Sequence, residues 1–401
     1  NSFNQSHQYD FKKIPECPIA YWLPKSIFQA FDQGNSFKFI ANPRTGMSTS
    51  DTDRFVRLWH EVSIQKIGLN LIKEEAIKSK FKWFPFSKGG TYRKWFGNNE
   101  YVVNYQNNGK EVKHWLVNNP NDPTTKSWAR YIRSPEYYFV TGLAWTKVTS
   151  SGFSVRYTDY GSIFSDASNG AFPPDEDIYF YTGFLNSIVV SELLTVLAPT
   201  LNIKSGDVAR LPVINTIQSK KELISDNVKK LIEISKDDWN SQELSWGFKR
   251  NKWIGFKSNL IVEDHHIKCL ENKKILEAFG IMEELNNKYF LEIYNLENCY
   301  ERDISMKDLS LTINSKFLFG GDKINGDEFL RSEDLINLVS YVVGCMMGRY
   351  SLDQEGLVYA HAGNEGFTEL EQQGAYKTFP ADDDGIIPLT DQEWFADDAT
   401  H

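Results

Sequence analysis

Cysteine is scarce in this chain of 401 residues: there are four, Cys17, Cys269, Cys299 and Cys345, all far apart. With no CxxC pair and no matching histidine spacing, neither a zinc knuckle nor a disulfide framework is indicated, and reduced, cytoplasmic thiols are expected. Long apolar runs are missing as well. No stretch approaches the roughly 18 to 20 residues that span a bilayer, so no membrane role is expected. The first ten residues have neither an initiator Met nor the basic-then-apolar layout of a signal peptide, and the chain is expected to be part of a longer polypeptide.

Recognisable catalytic machinery is also absent. Holding a flipped adenine by its amino group takes an Asn/Asp-Pro-Pro-aromatic loop, which supplies two carbonyl acceptors and a stacking ring. The one Pro-Pro pair, Pro173-Pro174, follows Phe172 and precedes Asp175. A glycine-rich cofactor loop after a strand is lacking, and Phe319-Gly320-Gly321-Asp322 reads better as a turn. No P-loop, GxSxG elbow or HExxH occurs. His265-His266 with Cys269 sits among Glu263, Asp264 and Lys268, so an exposed polar patch is a better reading than metal ligands. His60 beside Glu61 has no nucleophile or metal motif to serve, and reads as a buried or capping histidine. No catalytic residue, cofactor-binding residue or metal ligand is assigned.

What is present is an uneven distribution of charge. The formal net charge is -9, yet between His60 and Tyr157 fifteen Lys and Arg face seven Asp and Glu. From Ser351 to His401 twelve acids stand against Lys377 alone. Because the Debye length is only about 8 Å at physiological salt, a phosphate responds to the local surface and not to the average.

The patterning predicts an α+β chain. Residues 41–215 are aromatic and β-branched, punctuated by turn formers at Asn98-Asn99, Asn107-Asn108-Gly109, 118–123 and Pro173-Pro174, the look of short strands and long loops. Tyr101 to Tyr105, a turn at 107–109 and Val112 to Val117 read as a hairpin. Leu185, Val189 and Leu193 fall four apart and predict one helix over 182–198, stopped by Pro199. From Ser219 the period is helical: Ser219 to Glu222 reads as a capping box ahead of Leu223, Ile224, Val228, Leu231 and Ile232. A second stripe runs through Ile275, Phe279, Met282, Leu285 and Tyr289. A third, after a cap at Ser332, runs through Leu335, Val339, Val342 and Met346. The expected organisation is a connecting segment at 1–40, a β-rich recognition domain at 41–215, a helical domain at 216–350 and an acidic extension at 351–401, disordered or loosely docked.

Two segments carry nucleic-acid chemistry. Between Lys78 and Asn108, cations, glycines, amides and aromatics interleave. Lys82, Lys88, Arg93 and Lys94 suit phosphates, Gly89-Gly90 allows close backbone approach, and Asn98 and Asn99 can pair bidentately with adenine. Trp95 is expected mainly to position the cations; the bland alternative is that the aromatics of this segment simply build a small core. The second segment, 42–55, is a polar loop in which Arg44, Thr45, Thr49 and Arg54 can meet phosphate or a base edge. Lys147 and Arg156 extend the candidate DNA-binding set.

The order Arg44-Thr45-Gly46-Met47-x-Thr49-x-Asp51-x-Asp53-Arg54-Phe55, then FVRLWHEV, FPFSKGGTYRKWFGNNEYVVN, Ala144-Trp145, FSVRY and FLNSIVVSELLTVLAPTLNIKSGDVARLPV, resembles the C-terminal half of PglX. That family comprises the adenine-specific DNA methyltransferases of BREX (bacteriophage exclusion) systems. Leu185-Asn186-Ser187 and Gly206 to Pro212 are also similar to the ending of target-recognition domains in type I specificity subunits and type IIG enzymes. The likeness runs from about Asp10 to Pro388, including SYVVGCMMGRYSLD and DDDGIIPL. It implies double-stranded DNA, the family's own catalytic part and other BREX proteins as partners, with S-adenosylmethionine as the parent enzyme's cofactor. The family's Asn-Pro-Pro-Tyr loop precedes the region present here. The chain alone is therefore expected neither to methylate DNA nor to hold the cofactor, and micromolar S-adenosylmethionine binding in a calorimeter would refute this.

Overall fold

The computed structural model describes residues 11–255, 260–320, 325–360 and 366–382. They form two compact units, one made of Asn1–Trp246 with Ser258–Gly326, the other of Gly247–Lys257 with Asp327–His401. The architecture is α+β.

The first unit is built on short strands. They are β1 (Asn35–Ser36), β2 (Val56–Leu58), β3 (Trp83–Ser87), β4 (Tyr101–Asn104), β5 (Gly142–Thr146), β6 (Val155–Thr158), β7 (Ile163–Phe164), β8 (Ser168–Ala171) and β9 (Pro212–Val213). One sheet has the order β2-β4-β3-β7, a second β6-β5-β8, and β1 pairs with β9. All pairings are antiparallel except β3 with β7. The main helices of the chain are α1 (Lys25–Gln33), α2 (Gln106–Asn118), α3 (Ile178–Leu185), α4 (Ile188–Leu197), α5 (Gln218–Trp239), α6 (Ile261–Ile293), α7 (Gly326–Met346) and α8 (Phe367–Gln372).

Several expectations change in detail. Asn107, Asn108 and Gly109 do turn the chain, all with left-handed φ (52°, 59° and 71°). The chain then continues as helix α2 and not as a returning strand, because Val112 and Leu116, four apart, bury one helical face under the four-stranded sheet. The helix expected over 182–198 is two helices, α3 and α4, bent by 72°. Asn186 breaks it: its carboxamide accepts from Val155 N and donates to Val155 O, each at 2.9 Å, while Ser187 caps α4. Helix α5 starts at Gln218 with Ile217 at its N-cap and no side-chain cap, so Ser219 lies inside it. Ser332 likewise lies inside α7, whose buried face is Tyr341, Gly344 and Cys345, while Val339 is exposed. Among the described residues no single helix is long and apolar enough to cross a membrane; α3 and α4 together pass that test only as a bent pair.

Two cores organise the first unit. Phe55, Phe84, Val103, Val112, Tyr138, Phe139 and Phe164 pack under the four-stranded sheet. Leu143 and Trp145 of β5 join α1, α3, α4, α5 and α6 in the larger one. The segment expected to be a mere connector, 1–40, contributes Ile14, Ala20, Leu23, Ile27, Phe28 and Phe37 to that core. Helices α5 and α6, expected in a separate helical domain, share it. Gly183 is required where α3 meets them: an added Cβ would stand 2.7 Å from Asn286 Oδ1 and 2.9 Å from Val228.

The second unit centres on α7. Tyr341 stacks on Tyr350 at 5.2 Å beside Phe248. The acidic extension is folded through its described part: Phe367, Ala375 and Tyr376 cluster, Tyr376 Oη donates to Gly348 O at 2.8 Å, and Asp353 accepts from Thr378 N and Oγ1. Asp383 and Asp384 lie outside the described residues, as do Gly321 and Asp322.

One polar join between the strand-rich segment and the helices is the turn Arg93-Lys94-Trp95. Trp95, at φ 69°, donates from its backbone to Val155 O and accepts from Tyr157 N, which fixes it beside β6. Arg93 Nη1 meets Asp238 Oδ2 of α5 at 3.1 Å, and its guanidinium lies 5.0 Å from the Trp239 ring. Asp238 also accepts from Thr312 N and Oγ1. Lys94 Nζ reaches Glu283 Oε2 of α6 at 2.9 Å, and Trp95 Nε1 donates to the other oxygen at 2.8 Å. Burial alone pulls the Lys94 ammonium down, but the Glu283 carboxylate and neighbouring groups overcome this and the net direction is upward. A raised lysine stabilises the fold below its unfolded range, about 10.4, and loses that effect only as pH climbs beyond it. The contribution of Lys94 is thus insensitive to pH near neutrality. Glu283→Ala is expected to cost about 3–5 kcal/mol by stranding a buried ammonium. The double change Lys94→Met with Glu283→Gln, which removes both charges and keeps an acceptor for Trp95, should recover most of that in urea melts; equal loss in both variants would refute the account.

Candidate nucleic-acid interface

The same geometry divides the expected set of DNA contacts into buried and accessible members. Arg93 is 5 % exposed and Lys94 9 %, and each is neutralised by an interior carboxylate, so neither presents charge to a phosphate row. Trp95 is fully buried. Arg156 is 2 % exposed; it donates to Thr146 Oγ1 at 3.4 Å, and its Nη1 has no hydrogen-bond partner. Burial, with Arg93 nearby, lowers its guanidinium to about 10. Asn98 is buried, at φ 58°, and donates to Thr91 O, while Thr49 is buried in its loop. Gly89 and Gly90 adopt φ values of 94° and 140°. A Cβ on Gly90 would stand 2.7 Å from Asn98 Nδ2, so this glycine serves the turn itself.

Other members of the set keep accessible surface. Lys88 is half-buried with Nζ 4.6 Å from the Tyr101 ring, and Lys82 is half-buried with Nζ 5.6 Å from the Trp83 ring. Lys147 and Asn99 are half-buried, and the backbone of Lys147 is held by Ala167 O. Arg44 and Arg54 are exposed, and Thr45 shares a hydrogen bond with Ser205.

The loop at 42–55 does not stand alone. It runs against the segment 118–134, joined by Ser48 N to Tyr131 O at 2.9 Å, Ser134 Oγ to Thr45 O at 3.3 Å and Asn119 Nδ2 to Ser50 Oγ at 3.5 Å. Gly46 is required where the same loop crosses β7, because any Cβ would run into the Phe164 carbonyl. On this paired surface cations sit on rings: Arg44 over Tyr137 at 5.7 Å, Arg54 over Trp115 at 4.6 Å, Lys113 over Trp128 at 4.7 Å and Arg130 over Tyr131 at 5.7 Å. Lys126, Arg130 and Arg133 are exposed. The acids nearby are largely engaged. Asp51 caps its turn by accepting from Arg54 N, and Glu111 is shared between Arg54 and Asn104. Asp122 accepts from Thr125, Thr124 and Tyr131, whose hydroxyls hold its carboxyl well below the usual range.

Lys113, Lys126, Trp128, Arg130 and Arg133 were not among the sequence candidates. A signal existed: 126–133, KSWARYIR, interleaves cations and aromatics much as 78–108 does, but the Asn- and Pro-rich stretch before it reads as turn alone. Among the described residues no group of His, Cys, Asp and Glu could hold a metal ion. Cys269 lies 3.6 Å from His265 Nε2, one helical turn away on α6.

No protein-family model matches the chain. It is 40% identical over its whole length to the adenine-specific methyltransferase BrxX of Escherichia coli O9:H4 (strain HS). It is 31% identical, over 99% of its length, to the adenine-specific methyltransferase PglX of Lacticaseibacillus casei (strain Zhang). The chain spans 31% of each of these curated relatives. Among solved structures, the type IIL restriction-modification enzyme MmeI in complex with DNA aligns with TM-score 0.38 and 12% identity, covering 65% of this chain and 33% of that one. At that score and identity the likeness supports no inference. From end to end, the chain is similar to about a third of each of these two adenine-specific methyltransferases.

Proposed function

We propose that this chain is the DNA-recognising part of an S-adenosylmethionine-dependent adenine-N6 methyltransferase of a phage-defence (BREX) system, with the region 41–215 as its target-recognition domain. The observation that carries the reading is the paired loop surface of 42–55 and 118–134. Arg44 and Arg54 lie on one loop and Lys126, Arg130 and Arg133 on the other, with Lys113 on α2 beside Trp128, while Asp51, Glu111 and Asp122 are bound into turns and an ion pair. The kinship to adenine-specific methyltransferases supplies the context.

Such a surface suits a duplex for a physical reason. Exposed guanidinium and ammonium groups displace condensed counterions from phosphates, which fixes register, and the polar side chains between them read base edges. Cations resting on rings are partly ordered before binding, so less side-chain entropy is lost on contact. In the full-length enzyme the flipped adenine would pass to a catalytic part with its own cofactor.

Removing Arg44, Arg130 and Arg133 together by substitution with alanine is expected to weaken duplex binding, each lost contact lowering the slope of log K against log salt by about one unit. Lys88→Ala should act in the same direction. Fluorescence anisotropy at several salt concentrations measures both. A triple variant that binds like the parent at every concentration would refute the assignment, and binding to an acidic protein but to no duplex would favour a protein-interaction scaffold.

A further inference from the structure

Within the proposed interface Trp128 stands apart from the tryptophans of the core. Trp83, Trp95 and Trp145 are buried, whereas Trp128 remains 37 % exposed. Its backbone is nonetheless firmly set. Trp128 opens a single 3-10 turn, Trp128–Arg130, capped by Ser127 Oγ, and its carbonyl accepts from both Tyr131 N and Ile132 N at 2.9 Å. Ile132, four residues on, is anchored in the core of the four-stranded sheet. Lys113 Nζ, from helix α2, sits 4.7 Å from the ring centroid, and Lys126 and Arg130 flank the indole in sequence, both exposed.

An indole on a hydrogen-bonded turn, partly in water, with one ammonium on its ring and exposed cations on either side in sequence, combines the two elements that hold an unpaired nucleotide. A π-face accepts any base, and adjacent positive charge holds the phosphates on either side. A duplex base pair offers such a ring no exposed face, because its bases are already stacked. We propose that Trp128 is a stacking contact for a nucleotide displaced from the duplex, an inference that rests on the DNA-recognition reading above. Lys113 is then a positioning residue, holding the ring by a cation-π contact, and Lys126 and Arg130 contact the flanking phosphates.

The test compares a short duplex with the same duplex carrying one bulged 2-aminopurine, using the whole chain. Trp128→Ala should weaken binding to the bulged duplex by about tenfold or more, as expected for loss of one base stack, and should leave the intact duplex much less affected. Trp128→Phe should keep most of the affinity for the bulge, and 2-aminopurine fluorescence should be quenched by the parent and not by Trp128→Ala. Matching melting curves for both variants exclude a folding defect; if alanine unfolds the turn, the phenylalanine variant and the quenching decide. Equal loss on the two duplexes, or no quenching by the parent, overturns the proposal while the DNA-recognition reading stands. If the parent binds neither duplex, both fall together.

Discussion

Two carboxylates in the interior of the helices, Asp238 and Glu283, are the groups on which the rest of the first unit depends. Each receives a cation from one short turn of the strand-rich segment, and each also accepts from a second donor, Thr312 or Trp95. Buried ion pairs add little net stability over well-packed apolar groups, yet they are unforgiving of misplacement. Their effect here is geometric: with Trp95 seated on β6, the turn can take only one position against α5 and α6.

That constraint explains why basic charge in this chain divides into two populations. Inside, Arg93, Lys94 and Arg156 are structural cations, withdrawn from solvent and held by the helices or by Thr146. Outside, Arg44, Arg54, Lys126, Arg130 and Arg133 lie on loops whose backbones are tied down by neighbouring turns. A count of Lys and Arg along the sequence sums the two. Only burial separates a charge that can meet a ligand from one that fastens the fold.

Much of the architecture was nonetheless legible. The α+β class, the turn at Asn107 to Gly109 and the helical course of α5, α6 and α7 all arise from residue type and period. The errors came where periodicity is ambiguous or partners are remote. Val112 to Val117 is too short to tell strand from helix by pattern, and tertiary packing under the sheet decided it. Asn186 breaks a continuous apolar stripe because its amide finds a strand edge 31 residues upstream. No local signal says that Arg93 and Lys94 meet acids 145 and 189 residues downstream. Arg44, Arg54, Lys82, Lys88 and Lys147 needed no such long-range knowledge, and they kept accessible surface.

The seam between the loops at 42–55 and 118–134 has an evolutionary consequence. Their hydrogen bonds cross from one loop to the other, at Ser48 with Tyr131, Thr45 with Ser134 and Ser50 with Asn119, and Gly46 admits no side chain. A change that reshapes one would orphan polar groups in the other, so the two loops are constrained together. Two stretches held together by residues as distant in sequence as Ser50 and Asn119, 69 positions apart, then form one cassette, and a graft that carries only half of it carries a surface without its scaffold.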